Sequence, residues 1–310
     1  MAGKRIKLII NPNADLGNAW RQATDLRAIA EQHGGADWAG TVYPTHATEL
    51  ARQAAEEGYE MVIAVGGDGT AHEVINGLMG VPANKRPKFG IVPLGSGNDF
   101  AHNLGLPIGP RDALQAALQG NTRKIDLAMI EDENGRKEYW DNTMNIGFGG
   151  SVNIYSHNLP LVRGFLMYFA ATLLTIIRRY DVMNMKITTD QESWDADVLM
   201  LGVCNGKREG GGFITAPDAE FDDGLLNYTQ VNKISRLGMF RLIPEFLKGT
   251  QGRFEKQVKM GTAKTIEIQS KQSLTIHIDG ETFSGFNSNV HNLKITVLPQ
   301  ALEVLAPPAS

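Results

Sequence analysis

The run Met61-Val62-Ile63-Ala64-Val65, followed at once by Gly66-Gly67-Asp68-Gly69-Thr70, constrains this chain more than any other stretch. An unbroken apolar run of this length, closed by glycine, reads as a strand buried on both faces. Three glycines in the next five positions let the backbone turn sharply and approach a ligand closely. The amphipathic stretch Ala71 to Met79 reads as the helix that follows. Backbone N–H groups at a helix N-terminus hold anions, so strand, glycine turn and helix together point to phosphate. Asp68 is out of place there, because a carboxylate repels phosphate. It fits if a metal ion stands between the two, or if it holds the glycine loop.

Residues 4–120 repeat this rhythm. Strands are expected at Arg5 to Ile10, Trp38 to Tyr43 and Phe89 to Val92, besides the Met61 run. Helices are expected at Gly17 to His33, Thr45 to Glu57, Phe100 to Leu104 and Asp112 to Gln119. Such alternation predicts an open parallel sheet with crossover helices, which binds ligands at the carboxyl ends of its strands. Four polar or glycine-rich loops fall there: Asn11 to Asn13, Pro44 to Thr48, Gly66 to Thr70 and Pro93 to Asp99. From about residue 123, strand-like runs follow one another at 123–130, 137–146, 182–189, 194–204, 225–231, 263–269, 273–278 and 291–297. Thr265 to Gln269 and Leu274 to Ile278 alternate with period two, as antiparallel strands with one wet face do. Helical stretches interrupt them near 161–179 and 235–248. The expected fold class is α/β: an open parallel-sheet domain over 1–122, then a β-rich antiparallel domain over 123–300. A return strand and tail would occupy 301–310, and the cleft between the halves is the natural active site.

Composition narrows the functions. With 42% apolar and 21% charged residues, the 310-residue chain is that of an ordinary globular protein. A net charge of −4 provides no global basic field, so nucleic acid is not an expected partner. The single cysteine, Cys204, excludes an intrachain disulfide, suits a reducing compartment and reads as a buried thiol. The seven histidines show no metal-ligand spacing. Asn11-Pro12 stands after the first strand where a dinucleotide fingerprint would need Gly-x-Gly. No apolar signal segment follows the basic Met1 to Lys7, so the expected location is cytoplasmic. The apolar Gly164 to Ile177 is shorter than the roughly 17–25 residues that cross a bilayer.

A second glycine loop, Pro93-Leu94-Gly95-Ser96-Gly97-Asn98-Asp99, begins its glycines 29 residues after Gly66. Together the two loops resemble the diacylglycerol kinase catalytic family, which includes bacterial soluble lipid kinases and sphingosine kinases. The first motif alone is shared with NAD kinases; the Asn98-Asp99 ending of the second favours the lipid kinases. Asn11-Pro12-Asn13-Ala14 is similar to the family's first nucleotide loop, and Thr45 falls where the family has a nucleotide-contacting threonine. Asn145 to Gly150 resembles its Asn-rich turn into the second domain, and Pro217 to Leu226 its metal-associated turn. Asp279-Gly280-Glu281 resembles its carboxyl-terminal catalytic motif. The matches keep their order across residues 6–305. Departures are Ser96 for the commoner threonine, His72 near the first loop, and no glycine within Asn13-Ala14-Asp15.

The resemblance implies an ATP-dependent kinase that moves the γ-phosphoryl group to a lipid hydroxyl, with diacylglycerol the leading acceptor and Mg²⁺ required. It implies nucleotide contacts from Asn11, Pro12, Asn13, Thr45, Gly66, Gly67, Asp68, Gly69, Thr70, Gly95, Ser96, Gly97, Asn98 and Asp99. Asp68 and Asp126 would join a water and Mg²⁺ network at the phosphates, and Glu281 would be the general base. A structural Mg²⁺ would sit at Asp223, with backbone oxygens from Glu220 and Leu225. Read as bare residues, Asp279-Gly280 is a solvated hairpin turn and Asp222-Asp223-Gly224 a turn before a strand. The Gly164 helix is either a core helix or the border of an acyl-chain pocket. Residues 233–259 carry an excess of five positive charges among apolar residues, either a solvated helix face or a dock for anionic lipid at the inner membrane face. The glycine-rich Asn205 to Gly212 either covers a substrate or forms a mobile loop. A homodimer is left open. The rival functions are a kinase acting on NAD or a sphingoid base, and a non-catalytic nucleotide- or lipid-binding regulator.

Overall fold

The computed structural model describes residues 5–17, 19–159 and 163–307, without the side chains of Asp15 and Leu16. Positions 161–162 of the expected helix and 308–310 of the expected tail lie outside the described residues. The chain forms two compact units, residues 1–125 with 300–310, and residues 126–299.

The first unit alternates β1 (Ile6–Ile10), α1 (Ala19–Gln32), β2 (Asp37–Gly40), α2 (His46–Glu56), β3 (Met61–Gly66), α3 (Asp68–Met79), β4 (Lys88–Pro93), α4 (Asp99–Asn103) and α5 (Pro110–Leu118). Its strands run parallel in the order β4-β3-β1-β2, and the closing strand Asn292–Leu305 joins beside β4 with Val304 opposite Phe89. Every residue of β3 is buried, as its unbroken apolar run requires. Helix α3 starts three residues earlier than its apolar periodicity predicts. Gly67 stays extended while its carbonyl accepts the Thr70 and Ala71 N–H groups, so Asp68, Gly69 and Thr70 form the first helical turn. The expected Trp38–Tyr43 strand ends early, at Gly40, and the chain turns away through Pro44.

The second unit is antiparallel and β-rich, as the period-two runs predict. It contains β5 (Thr122–Asp132, entering from the first unit), β6 (Lys137–Trp140), β7 (Thr143–Gly147), α6 (Phe148–His157), α7 (Gly164–Arg178), β8 (Met183–Thr189), β9 (Ser193–Cys204), β10 (Arg208–Glu209) and β11 (Phe213–Ile214). It continues with β12 (Leu226–Asn232), α8 (Arg236–Lys248), β13 (Val258–Ala263), β14 (Thr265–Ser270), β15 (Ile276–Ile278), β16 (Glu281–Ser284) and β17 (Asn292–Leu305). The long β9 serves two sets of neighbours. Its first half pairs with β8, which leads to β14 and β17, and its second half lies between β7 and β12. Trp140, Met144, Ile146, Leu201, Ile266, Ile276 and Ile295 fill the core between them.

Three elements differ from expectation. The 137–146 run breaks at Asp141-Asn142, whose N–H groups turn to the Asp279 carboxylate instead of a ladder. Residues 148–157 are a helix where only a turn is expected. Gly150 lets it approach the sheet, since a Cβ there would stand 2.5 Å from the Thr275 carbonyl. Val258–Ala263, whose first two residues close the basic segment, is a strand paired to β12. The Gly164 helix is not an all-round core helix either: Ala171, Thr172, Thr175 and Ile176 form its buried stripe, and Leu166 and Ile177 are 65% and 64% exposed. Among the described residues, no helix is long and apolar enough to cross a membrane.

Helices α2 and α3 cross at Gly77, where a Cβ would overlap the Thr48 carbonyl and lie 2.9 Å from the Ala51 Cβ. Gly77→Ala is expected to cost about 1–3 kcal/mol through overpacking. Thermal melting followed by circular dichroism should then show a midpoint several degrees lower, on the order of 2–4 °C per kcal/mol.

Candidate active site

In the first unit, three loops leave the carboxyl ends of adjacent strands. Asn11 follows β1, Gly67 follows β3 and Leu94 follows β4. The two glycine bends press backbone against backbone. A Cβ on Gly67 would stand 2.8 Å from the Gly95 Cα, and one on Gly95 would overlap the Gly67 Cα. Leu94 N–H donates to the Gly66 carbonyl at 2.7 Å, so the bends are also hydrogen-bonded. Asn98, at φ 51°, closes its own bend: its Oδ1 accepts from Gly95 N at 2.7 Å and its Nδ2 donates to Gly95 O at 2.9 Å. Asp68 ties the two together, its Oδ1 accepting from Phe100 N at 3.1 Å. Its other oxygen faces Gly97, where a Cβ would stand 3.1 Å away. The acid in the first glycine loop therefore holds the neighbouring loop, one of the two roles its presence there suggests.

Asn11 completes this edge, its Nδ2 donating to Thr70 Oγ1 at 3.4 Å and its Oδ1 accepting from Asn13 N at 3.0 Å. Thr45 is exposed and held by its backbone. At φ 71° it precedes α2, and its N–H donates to Glu73 at 2.8 Å. Glu73, absent from the sequence-derived candidates, also accepts from Ala47 N at 3.1 Å and so caps α2 from within α3. The hydroxyl that directly continues β2 belongs to Thr41, whose N–H donates to the Ile10 carbonyl beside Asn11. His72 is buried in α3, its carbonyl accepting from the Asn76 amide.

In the second unit, Asp126 and the Asp222-Asp223-Gly224 turn come together. Gly224 N–H donates to Asp126 Oδ2 at 2.6 Å, and Asp126 N–H donates to the Phe221 carbonyl. Desolvation pushes the Asp223 carboxyl up, opposed by the Leu225 N–H, and the Asp126 and Glu220 carboxylates raise it further. Such a concentration of negative oxygen fits a hard divalent cation. Among the described residues, no three His, Cys, Asp or Glu side chains group to hold a metal by themselves. The set anticipated here uses one carboxylate and two backbone oxygens.

The Asp279-Gly280 turn is a two-residue hairpin, as the bare residues predict, but it is not solvated. Asp279 (φ 48°) is buried, and its carboxylate accepts from the N–H groups of Asp141, Asn142 and Thr143 at 3.1, 3.0 and 3.0 Å. The two acids of the motif part company: Glu281, opposite Ile278, faces outward, and Asp279 is an internal clamp.

Sequence reasoning also missed a knot of buried side chains around the half-buried Glu209. Glu209 Oε1 and Oε2 both accept from Asn145 Nδ2 at 2.8 Å. Thr215 Oγ1 donates to Oε1 at 2.6 Å and Thr143 Oγ1 to Oε2 at 3.2 Å, and His277 Nε2 lies 3.5 Å from Oε2. Burial alone would push this carboxyl up, yet His277, Thr215 and Thr143 outweigh it and hold it below the usual glutamate range. Cys204 is buried as expected. Burial raises its thiol well above the ordinary value, and Glu209 adds to that. The glycine-rich 205–212 segment is thus anchored, with β10 and β11 forming a short hairpin.

Comparison with known proteins agrees with the geometry. Residues 5–130 match the model of the diacylglycerol kinase catalytic domain, and residues 142–306 that of the YegS C-terminal NAD kinase beta sandwich-like domain. Proteins named probable lipid kinase YegS-like from Yersinia pestis (strain Pestoides F) and Yersinia pseudotuberculosis (serotype O:1b, strain IP 31758) are each 34% identical over 267 residues, which is 84% of this chain and 84% of each relative. Two crystal structures from Bacillus anthracis str. Sterne, the second named a diacylglycerol kinase, superpose with TM-scores of 0.80 and 0.75 at 24% and 22% identity. They cover 99% of this chain and 99% and 98% of their own, a likeness of fold.

A carboxyl held below its free value stabilises the fold fully above the unfolded value, near 4.5, and loses that contribution as pH falls through the folded value. Urea unfolding of the wild type and Glu209→Gln from pH 6 to pH 3 is expected to show a stability gap that narrows below pH 4.5. A gap independent of pH would mean that folding leaves this carboxyl's proton affinity unchanged.

Proposed function

The chain belongs to the lipid kinases of the diacylglycerol kinase catalytic family, and we propose that it transfers the γ-phosphoryl group of ATP to diacylglycerol. The observation that carries this reading is the backbone contact between Gly67 and Gly95, locked by Asp68. Two side-chain-free bends give a triphosphate close access to main-chain N–H groups, and phosphoryl transfer depends on such positioning. Asn11, Pro12, Asn13, Thr45, Thr70, Ser96, Asn98 and Asp99 border the same nucleotide site in this reading. Asp68 and Asp126 would hold Mg²⁺, which when bound would supply charge neutralisation at the phosphates. Asp223, with the Glu220 and Leu225 carbonyls, would hold a second, structural Mg²⁺. Glu281, exposed at the start of β16, takes the proton from the lipid hydroxyl as its oxygen attacks phosphorus.

The enzyme works in the cytoplasm and meets its lipid at an anionic bilayer surface. Helices α7 and α8 bury their inner sides around Ile176, Met239 and Leu242, joined by the Arg236 guanidinium on the Ile176 carbonyl at 2.9 Å. Outward they leave Leu166, Ile177, Leu237 and Phe240 exposed, beside Arg178, Arg241 and Lys248. Apolar side chains ringed by cations fit the boundary between headgroups and acyl chains.

Incubation with ATP, Mg²⁺ and diacylglycerol in mixed micelles is expected to yield ADP and phosphatidic acid. Turnover confined to a sphingoid base or NAD would overturn the acceptor, and no ADP with any of the three would favour a regulator. Glu281→Gln is expected to lower kcat by about 100-fold or more while ATP affinity stays within about twofold. Near-wild-type turnover would remove the base assignment. Arg241→Glu combined with Lys248→Glu is expected to abolish co-sedimentation with phosphatidylglycerol-containing vesicles; unchanged binding would remove the docking role.

A further inference from the structure

The reading of Glu281 as proton acceptor leaves open what fixes its place within the second unit. Glu281 is exposed, on a hairpin only two residues across, and such a turn has no rigidity of its own. Two internal carboxylates grip the strands beneath it. Asp279 holds three successive backbone N–H groups, the last that of Thr143. Thr143 then turns its hydroxyl to Glu209, so one residue joins both acids. Glu209 also grips Asn145, and Asn145 and His277 are direct cross-strand partners. Next to it, the Arg208 carbonyl accepts from the Asn142 side chain at 3.1 Å. The β10–β11 hairpin is therefore bolted to β7 and β15 at three points, two residues before the turn.

The same hairpin runs directly into the apolar wall of α7. Beyond Glu209, Gly210 lies against the rings of Phe213 and Tyr168, and a Cβ on Gly212 would stand 2.8 Å from the Phe165 ring. The rings of Phe165 and Phe213 are 5.7 Å apart, centre to centre. Tyr168 returns toward the turn, its hydroxyl 3.8 Å from where a Gly280 Cβ would be. An apolar surface and an outward carboxylate thus share one support, and Glu209 is the charged pin through it.

We propose that Glu209 is a positioning residue for lipid phosphorylation: its carboxylate locks the 208–212 loop to β7 and β15, the strands beneath the turn that presents Glu281, and so sets the base against the aromatic wall of Phe165, Tyr168 and Phe213, along which the lipid acceptor would lie. A glutamine at this site keeps the shape but replaces one acceptor oxygen by a donor, which faces the donors of Asn145, Thr143 and Thr215. The knot must then open, although the fold has a large core elsewhere.

The test is a double-mutant cycle on turnover of diacylglycerol in mixed micelles. Glu209→Gln is expected to lower kcat about tenfold or more, with the KM for ATP within about twofold. Because Glu209 acts through Glu281, the double variant Glu209→Gln/Glu281→Gln should be no slower than Glu281→Gln alone. Multiplying defects in the double variant, or a Glu209→Gln kcat equal to wild type while Glu281→Gln is inactive, would overturn the positioning role. Near-wild-type turnover by Glu281→Gln would instead remove the base reading itself, so the two failures are distinct. If Glu209→Gln does not fold by circular dichroism, Thr143→Val serves. It keeps the N–H on Asp279 and loses only the hydroxyl that joins the acids. The same non-additivity with Glu281→Gln is expected, and additive behaviour would overturn the proposal.

Discussion

Carboxylates that take their hydrogen bonds from backbone N–H groups hold this structure's working parts in place. Asp68 receives Phe100 N–H, Asp126 receives Gly224 N–H, Asp279 receives three N–H groups in succession, and Glu73 receives two at the start of α2. Hydrogen bonds to charged groups contribute about 1.5–3 kcal/mol each, roughly twice a neutral one. A helix or ladder cannot supply them, because its N–H groups are already used. These acids therefore act where the backbone leaves regular structure: at bends, helix starts and strand breaks. That is where a phosphoryl-transfer site needs fixed geometry and exposed N–H groups at once. It also accounts for an acid within a glycine loop. With one oxygen engaged by the next loop, Asp68 makes two separate bends into one rigid edge.

The fold was readable where one physical rule governed each segment. β3 is buried on both faces, so its apolar run had one interpretation, and β14 alternates because one face is wet. Legibility failed where a distant partner decided. Nothing near residues 141–142 announces a break; it exists because Asp279, far along the chain, claims their N–H groups. Helix α6 was hidden because its glycines lower local helix propensity, and its stability comes from close packing on Thr275. β13 was hidden by its one lysine, Lys259, which suits an edge strand with a solvated face as well as it suits a basic helix.

The site divides in the same way. The glycine bends could be read because glycine's value there is local: no side chain fits between Gly67 and Gly95, whatever surrounds them. The Glu209 knot could not. Asn145, His277 and the hairpin carrying Glu209 and Thr215 come from three separate segments, and nothing local in any of them names the others as partners. The one available signal was an acid within a run of basic and glycine residues. Thr45 carries a feature that its family position does not announce: a left-handed backbone at the start of α2, with its N–H held by Glu73.

The opposite fates of the acids in Asp279-Gly280-Glu281 follow from turn geometry. A two-residue hairpin with positive φ at both central positions, 48° and 86° here, matches the right-handed twist of its strands. Gly280 adopts that backbone without cost, whereas Asp279 needs compensation. Three charge-assisted bonds provide it, and they draw the carboxylate inward. The ladder resumes at once with Glu281 opposite Ile278, so Glu281 takes the first position that the sheet leaves to solvent. Strain at one acid is thus relieved by the bonds that fix the strand pair, and the fixed pair holds the other acid out. An outward acid with so short a tether inherits its precision from the buried one. Removing Asp279 would disturb Glu281 without touching it.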